Sequence, residues 1–210
     1  MKVVVVDYGM GNVRSVLQGI EKVGSKAQLS EIPEDILNAD RVVFPGVGAF
    51  GDGMEELRKR RLDTAIKDYA RTGRPLLGIC VAMQLFFDES EEHGIHEGLG
   101  LISGNIVRIP EDQTDQKVRK IPHVGWNSLA KRKHNQWNGT LLEGLEDRDS
   151  CYFVHSYMAA VSDEADILAE CEYEGLIITA AVHRDNITGL QFHPEKSGIV
   201  GLQILKNFLR

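Results

Sequence analysis

Residues 76–84 read Leu-Leu-Gly-Ile-Cys-Val-Ala-Met-Gln. The first four form an apolar run typical of a core strand, and the residues from Ala82 to Phe87 predict a helix that follows almost at once. Cys80 therefore lies at a strand-to-helix turn, with Gly78 two residues before it and Ala82 two residues after it. This spacing resembles a nucleophile elbow, a tight turn that holds a reactive side chain out of a sheet. The start of a helix also favours the thiolate form of a cysteine.

Apolar strands alternate with helices along the first part of the chain. Lys2 to Val6 and Arg41 to Phe44 are apolar runs typical of strands that are buried on both faces. Val13 to Val23 carries apolar residues at helical spacing, and Leu62 to Thr72 predicts a further helix. This alternation predicts an α/β protein with a mainly parallel central sheet and helices on both faces.

Short strands replace this pattern after about Glu97. The candidates are Leu101 to Ile109, Val118 to Val124, Tyr152 to Met158, Ile167 to Tyr173, Leu176 to Val182 and Ile187 to Phe192. No long helical pattern separates them, so we expect antiparallel hairpins added to the sheet. The polar stretch Glu111 to Lys120 is predicted to be an exposed hairpin tip, and Ser197 to cap a closing helix. No linker interrupts the chain, which predicts one domain over residues 1–210.

Composition and charge argue against several classes of protein. The 210 residues carry a formal net charge of −7, whereas a general nucleic-acid binder needs excess positive charge to neutralise phosphates. No apolar run approaches the ~18 residues of a membrane span, and the first run, Met1 to Asp7, is too short for a signal peptide. We therefore expect a cytoplasmic protein that binds neither membranes nor nucleic acid. Cys80, Cys151 and Cys171 form no Cys-x-x-Cys pair, so neither a disulfide framework nor a zinc site is predicted.

A second motif, Gln191-Phe192-His193-Pro194-Glu195-Lys196, supplies what a cysteine nucleophile needs. A thiol needs a base, and the base needs a group that orients it. If the segment is an extended strand, residues two apart face the same side. Glu195 would then accept a hydrogen bond from one ring nitrogen of His193, and the other nitrogen would face Cys80. The alternatives are a surface His and Glu at a strand end, and a small buried core cysteine.

A third motif, Pro45-Gly46-Val47-Gly48, follows another predicted strand. Ligands of parallel sheets bind at the carboxyl ends of the strands, so Pro45 to Gly51 and Cys80 are expected to meet in space. A glycine-rich loop in that place can turn backbone N–H groups toward a developing oxyanion, although an ordinary tight loop is the alternative. Together the three motifs predict a cysteine nucleophile that attacks an acyl or amide carbon.

The combined motifs resemble those of the class I, or triad, glutamine amidotransferases. The motifs that match the whole family are Pro45-Gly46-Val47-Gly48, Gly78-Ile79-Cys80, Met83-Gln84 and His193-Pro194-Glu195. Those that resemble the glutaminase subunits of imidazole glycerol phosphate synthases are Leu99-Gly100-Leu101, Ile121 to Asn127 and Tyr152 to Tyr157. The resemblance extends from Asp7 to Gly198 and implies a flavodoxin-like, three-layer fold. Ala82 departs from the pattern, because the family usually has glycine there; its methyl group is expected to crowd the glutamine pocket or to stiffen the elbow.

The resemblance implies a role for each matching residue. Cys80 would attack the carboxamide of glutamine, His193 would take the thiol proton and return it to the leaving ammonia, and Glu195 would orient the imidazole. Backbone N–H groups of Val81 and of Val47 or Gly48 would hold the oxyanion. Glutamine itself would be held by Gly48, Gln84, Glu92, Ser156 and Tyr157. The alternatives are a helix-surface Gln84, a solvated Glu92 and a Tyr157 that belongs to the core.

The resemblance also implies a partner. Free ammonia would be protonated and lost in water, so the family passes it through a channel to a (β/α)8-barrel cyclase subunit. The cyclase joins it to a phosphoribosyl-aminoimidazole-carboxamide ribonucleotide, which gives imidazole glycerol phosphate and an aminoimidazole carboxamide ribotide in histidine biosynthesis. The interface of this heterodimer is predicted to contain Asn12, Trp126, Tyr152 and Lys196, with a buried Trp126 as the alternative. No cofactor and no metal are predicted.

Other functions stay open at this point. A paralogous subunit that supplies ammonia to a synthase aminating a surface sugar would share the same motifs. The intact Cys80, His193 and Glu195 argue against a non-catalytic regulatory subunit, and the interface motifs argue against a stand-alone hydrolase of γ-glutamyl compounds. The glutaminase subunits of pyridoxal-phosphate synthase and anthranilate synthase share the triad, but the segment Val124 to Asn127 argues against both.

Overall fold

The computed structural model describes residues 1–111, 119–132 and 137–210. Its helices are α1 (Val13–Lys22), α2 (Pro33–Leu37), α3 (Phe50–Lys59), α4 (Leu62–Arg71), α5 (Val81–Gln84) and α6 (Gly198–Phe208). Its strands are β1 (Val3–Val6), β2 (Gln28–Ser30), β3 (Arg41–Gly46), β4 (Leu76–Cys80), β5 (Glu89–Ser90), β6 (His96–Glu97), β7 (Gly104–Arg108), β8 (His123–Ser128), β9 (Ser150–His155), β10 (Tyr157–Val161), β11 (Ile167–Tyr173), β12 (Leu176–Arg184) and β13 (Ile187–Leu190). Short 3-10 helices cover Glu164–Asp166 and Pro194–Lys196.

The central sheet has seven strands in the order β11-β12-β13-β4-β3-β1-β2. The strands from β13 to β2 run parallel, and β12 and β11 are antiparallel to their neighbours. Every residue of β1 and β4 is buried, because helices cover the sheet. The helices form two groups: α1 packs against α6, and α4 packs against both α2 and α3. The predicted α/β class, the mainly parallel sheet and the antiparallel C-terminal hairpin are therefore confirmed.

Two smaller sheets accompany the central one. One has the strand order β10-β7-β5-β6, and in the other β8 pairs antiparallel with β9. The prediction of one strand over Tyr152 to Met158 is wrong, because the extended segment is interrupted at Ser156. Its two parts, β9 and β10, belong to different sheets. This interruption leaves Ser156 between the two sheets, and Ser156 and Tyr157 both line a cavity.

The sequence patterns do not indicate α2, α3 or β2. Gly51 and Gly53 near the start of α3 lower its helix propensity, yet both glycines pack closely against side chains of later segments. A Cβ atom on Gly51 would lie 2.8 Å from Cε1 of His96, and one on Gly53 would lie 3.2 Å from a methyl group of Leu85. Tertiary contacts thus favour a helix that local preference does not predict.

The helix predicted over Ala82 to Phe87 is shorter than expected, because α5 is a single turn that ends at Gln84. The carbonyl of Leu85 accepts a hydrogen bond from the N–H of Leu99 at 2.8 Å, and the carbonyl of Phe86 accepts one from Leu101 at 2.7 Å. These carbonyls are used by a later loop and are not available to continue the helix.

Parts of two predictions lie outside the described residues. The predicted strand Val118 to Val124 and the predicted hairpin tip Glu111 to Lys120 both include positions for which the structure gives no description. In the portion that is described, the strand in this region is β8, which begins at His123. No helix within the described ranges is long and apolar enough to cross a membrane.

Candidate active site

Cys80 occupies a strained turn between β4 and α5. Its φ of 56° and ψ of −116° lie where side-chain-bearing residues are rare. The turn is possible because its neighbours are small. A Cβ atom on Gly78 would lie 2.5 Å from the ring of Phe86, and one on Gly46 would lie 2.5 Å from the backbone nitrogen of Ala82. The predicted elbow is therefore present, and glycines on both β3 and β4 make room for it.

Ala82, the departure from the family pattern, is fully buried and is not among the residues that line the cavity beside Cys80. Its methyl group therefore does not crowd that cavity, contrary to one of the two expectations. The backbone of Ala82 instead packs closely against Gly46 of the neighbouring strand.

His193 and Glu195 form a buried pair. Nδ1 of His193 lies 2.8 Å from Oε1 of Glu195, as predicted. The physical reason given for the pairing is wrong, because the segment is not an extended strand at this point. His193 is extended, but Pro194–Lys196 is a 3-10 turn that brings the carboxylate back to the ring.

Two groups raise the pKa of His193. Burial alone would lower it, but Cys80 and Glu195 outweigh burial and raise the pKa to about 9. Nε2 of His193 is buried and has no hydrogen-bond partner among the described residues. Cys80 is nevertheless close enough to raise the pKa of the ring. A ring held by Glu195 on one side, with a thiol on the other, has the arrangement that a cysteine nucleophile requires.

Ser197 fixes the backbone of His193. Its hydroxyl donates to the carbonyl of His193 at 2.6 Å and accepts from the N–H of Tyr152 at 3.0 Å, and the N–H of His193 donates to the carbonyl of Tyr152 at 2.9 Å. Ser197 directly precedes α6, but its side chain makes no capping hydrogen bond. The predicted position of Ser197 at the start of the helix is confirmed, but capping by its side chain is not observed, since its hydroxyl ties His193 to β9.

A cavity of about 300 Å³ opens beside Cys80. Its lining includes every side chain predicted to hold glutamine or to form the triad, except Glu195, which lies behind His193. The lining residues are Val47, Gly48, Cys80, Val81, Gln84, Glu92, Pro122, Val154, His155, Ser156, Tyr157 and His193. Pro122, Val154 and His155 received no role from the sequence, although all three lie within quoted motifs. A sequence motif gives the position of a residue in the chain but does not predict whether its side chain faces the cavity.

Gln84 is fixed by two acceptors. Its Nε2 donates to the carbonyl of Tyr157 at 3.0 Å and to Oε1 of Gln191 at 2.9 Å, and Nε2 of Gln191 lies 4.0 Å from the sulfur of Cys80. Gln84 is almost completely buried, which excludes the helix-surface alternative. Gln191 stands in the second quoted motif but received no predicted role.

Glu92 is anchored at the start of α3. Its Oε2 accepts a hydrogen bond from the N–H of Phe50 at 2.7 Å, where an anion is favoured by the unpaired N–H groups of a helix. The carboxylate also lines the cavity, so Glu92 is held in place and is not simply a solvated loop acid. A larger cavity of about 500 Å³ shares Glu92 and is lined by charged residues of α3 together with His93 and His96. Cys80 does not border it, so the smaller cavity is the candidate site.

The oxyanion candidates lie beside the elbow. Gly46 is paired in register with Cys80 across β3 and β4, so Val47 and Gly48 follow directly next to the sulfur-bearing turn. Gly48 has a φ of +97°, and a Cβ atom there would lie 2.6 Å from a methyl carbon of Met10. This position favours glycine for its conformation, and any side chain there would displace the end of Met10. Val81 borders the same cavity.

Three of the predicted interface residues form one exposed group. Trp126 is 59% exposed, which excludes a buried Trp. Its ring meets the ring of Tyr152 edge-on at 6.3 Å, and Nζ of Lys196 lies 5.8 Å from the centre of the Tyr152 ring. Asn12 stands at the start of α1, where its side chain makes no capping hydrogen bond.

The fold and this geometry define an α/β protein with a cysteine in a strained strand-to-helix turn and a buried His–Glu pair. The profile of "Glutamine amidotransferase class-I" matches residues 4–210, and the chain belongs to that family. Among the described residues, no group of three or more His, Cys, Asp or Glu is arranged to hold a metal ion.

Relatives agree with this assignment, and a solved structure shares the fold. The chain is 45% identical over 207 residues to "Imidazole glycerol phosphate synthase subunit HisH 1" of Legionella pneumophila strain Lens, covering 98% of this chain and 97% of the relative. It is 47% identical over 205 residues to a subunit HisH of Wolinella succinogenes, covering 97% of each. Among solved structures, PurLQS from Thermotoga maritima superposes with a TM-score of 0.74 at 17% identity, covering 99% of this chain and 97% of that one. At that identity the superposition shows the fold alone.

Proposed function

We infer that this protein is the glutaminase subunit of an imidazole glycerol phosphate synthase, and that residues 1–210 form a single amidotransferase domain. The observation that carries the activity is Cys80 in its strained turn beside the buried His193–Glu195 pair. The relatives named imidazole glycerol phosphate synthase subunits, which the chain matches over nearly its whole length, support the pathway.

Cys80, His193 and Glu195 perform the chemistry. The sulfur attacks the side-chain carboxamide carbon of glutamine, and His193 accepts the thiol proton through Nε2 and passes it to the leaving ammonia. A γ-glutamyl thioester is left on Cys80. Water, deprotonated by the same nitrogen, then releases glutamate. Glu195 keeps the ring oriented and stabilises its charged form.

The cavity holds glutamine so that its side-chain carboxamide lies next to the sulfur of Cys80. The anchored carboxylate of Glu92 binds the α-ammonium group, and Gln84 with the segment Ser156–Tyr157 binds the rest of the amino-acid end. The N–H groups of Val81 and of Val47 or Gly48 receive the oxyanion of the tetrahedral intermediate. The volume of about 300 Å³ suits a small polar metabolite.

The exposed group of Trp126, Tyr152 and Lys196 is the proposed contact with the cyclase subunit, together with Asn12. Val124 and Ile199 add exposed apolar surface, at 52% and 86% exposure. Exposed aromatic and apolar side chains are typical of protein interfaces. Ammonia would pass to the docked cyclase without entering water.

The test measures glutamate release from glutamine by the chain alone, by the chain with the cyclase subunit, and by the complex with the nucleotide substrate. We expect strong hydrolysis only with the cyclase and strongest with its ligand. Strong hydrolysis by the chain alone would identify an independent hydrolase. Silence in all three conditions, with a complex that forms, would identify a regulatory subunit or a subunit of another synthase, such as one that aminates a surface sugar.

A further inference from the structure

The geometry points to His123 and His155 as positioning residues for glutamine binding, a neutral hydrogen-bonded pair that holds the backbone of Tyr157 in place at the cavity. This inference rests on the proposed function, because it concerns how the same site holds its substrate. Neither histidine belongs to the proposed triad.

The two rings lie in one chain of hydrogen bonds. Asn127 Nδ2 lies 3.4 Å from His123 Nε2, His123 Nδ1 lies 2.9 Å from His155 Nε2, and His155 Nδ1 lies 2.8 Å from the carbonyl oxygen of Tyr157. The histidines face each other across the antiparallel pair of β8 and β9. The chain therefore runs from β8 to the segment that borders the cavity.

The direction of every proton in this chain is determined by its two ends. The carbonyl of Tyr157 can only accept, so His155 carries its proton on Nδ1 and, when neutral, accepts at Nε2. His123 must then donate from Nδ1 and accept at Nε2. At the other end, Asn127 donates to the carbonyl of Glu172 at 2.6 Å and accepts from the N–H of Ser128 at 2.8 Å, which orients its amide so that Nδ2 faces His123. Both ends require the same arrangement, with each ring neutral.

The surroundings hold this arrangement in place. His123 is 2% exposed and stacks between Phe153 and Tyr173, with ring centres 4.8 Å and 4.0 Å away. His155 is 6% exposed and borders the cavity. Burial lowers the pKa of His123 to about 4 and that of His155 to about 3. Because both rings are buried and neutral, His123 can donate its hydrogen bond to His155 without competition from water.

The pair acts on the site through one carbonyl group. The oxygen of Tyr157 accepts from His155 and also from Gln84, which binds Gln191 next to Cys80. Loss of the donor from His123 would leave Nε2 of His155 buried without a partner, and the ring would turn to find one. The carbonyl of Tyr157 and the amide of Gln84 would then move together, so the loss should weaken glutamine binding more than it slows the chemical step.

The test compares His123→Asn with His123→Leu in the complex with the cyclase subunit. Both replacements lose the ring and have the same branched shape, but Asn keeps a donor at the position of Nδ1. We expect His123→Leu to raise KM for glutamine about tenfold with a smaller change in kcat, and His123→Asn to stay within about threefold of the wild type. Gel filtration is the control for folding and assembly, and all three proteins should elute as the same complex with the cyclase subunit.

An unchanged KM in His123→Leu, or equal kinetics in the two variants, would overturn the inference. NMR of the wild-type protein labelled with ¹⁵N-histidine provides an independent reading near pH 7, where both rings should be neutral with the proton on Nδ1. A charged ring, or a proton on Nε2 of either histidine, would also overturn it. Because the NMR result does not depend on turnover, it separates a failure of this inference from a wild-type complex that does not hydrolyse glutamine, which would refute the proposed function instead.

Discussion

Nδ1 of His193 lies 2.8 Å from Oε1 of Glu195, and the two side chains are only 3% and 1% exposed. A carboxylate can only accept, so neutral His193 carries its proton on Nδ1. In this neutral form its Nε2 presents a lone pair on the side of Cys80, and accepting the thiol proton there gives the charged ring that the raised pKa of His193 favours. The pair sets which ring nitrogen works as the base.

The variant Glu195→Gln should separate orientation from charge. The amide oxygen can still accept from Nδ1, but the negative charge that helps to raise the pKa of His193 is lost, so this pKa should fall below about 9. We expect kcat for glutamine hydrolysis to fall about 10²-fold or more, in the range of general acid–base effects. Steady-state kinetics and an NMR titration of His193 measure both changes. Glu21→Gln on the exposed face of α1 is the control, and equal activity of the two variants would remove Glu195 from the mechanism.

The variant Cys80→Ala should abolish glutamine hydrolysis and leave ammonia-dependent synthesis by the complex intact, because the nucleophile is lost and the partner's site is not touched. Cys171→Ala is the matched control, since burial raises the pKa of that thiol to about 12 and keeps it unreactive. Glutamate release and synthesis with ammonium salt are measured for each variant. Residual hydrolysis by Cys80→Ala would rule out Cys80 as the nucleophile.

The parts of the site that could be predicted from the sequence are those that depend on a few neighbouring residues. The elbow at Cys80 follows from an apolar strand that meets a helix without a loop, and this needs only nine residues. The sequence predicts the pairing of His193 with Glu195 correctly but for the wrong reason, because Pro194 starts a 3-10 turn that an alternation of strand faces does not describe.

The parts that could not be predicted depend on contacts between distant segments. Gln191 binds Gln84 across 107 residues, and the neutral pair of His123 and His155 exists only because β8 and β9 meet in one register. The close contact of Gly46 with Ala82 likewise depends on the register between two strands, β3 and β4. Local patterns state which residues are present, but the register between strands decides which of them touch.

The variant Gly46→Ala should disturb the elbow directly. A new Cβ atom would lie 2.5 Å from the backbone nitrogen of Ala82 and 2.7 Å from the hydroxyl of Tyr8, and the backbone contact cannot be relieved by a side-chain rotation. We expect a loss of about 1–3 kcal/mol in the free energy of unfolding, as for other overpacked cores, and a loss of kcat of at least about tenfold. Chemical denaturation and glutaminase kinetics measure the two effects.

Gly53→Ala is the control for Gly46→Ala. Its new Cβ atom would meet only the flexible end of Leu85, at 3.2 Å, and alanine is the better helix former within α3. It should keep its activity and its stability. If Gly46→Ala behaved in the same way as this control, the close packing of β3 against the elbow would have no role in holding Cys80.

The pH dependence of stability should report on the neutral histidine pair. In the folded protein the pKa of His123 is about 4 and that of His155 about 3, against 6.5 for an ordinary histidine. Between pH 6.5 and pH 4 the unfolded chain therefore binds protons that the folded chain does not, and stability falls as the pH falls. The raised pKa of His193 acts in the opposite sense: its contribution is complete below pH 6.5 and is lost only as the pH rises through about 9. His193 therefore does not add to the loss in the acid range.

His123→Asn removes one group of the pair and keeps the donor, so the variant should lose less stability on acidification than the wild type. Burial also lowers the pKa of His183, but that group titrates equally in both proteins. We expect the difference to reach about 2–3 kcal/mol between pH 7 and pH 4.5, which corresponds to a shift of about two pKa units in one group. Urea denaturation of both proteins at a series of pH values measures it. Parallel stability curves would mean that His123 is protonated in the folded protein at moderately acid pH, which the hydrogen bond from its Nδ1 to His155 and the acceptor at its Nε2 do not allow.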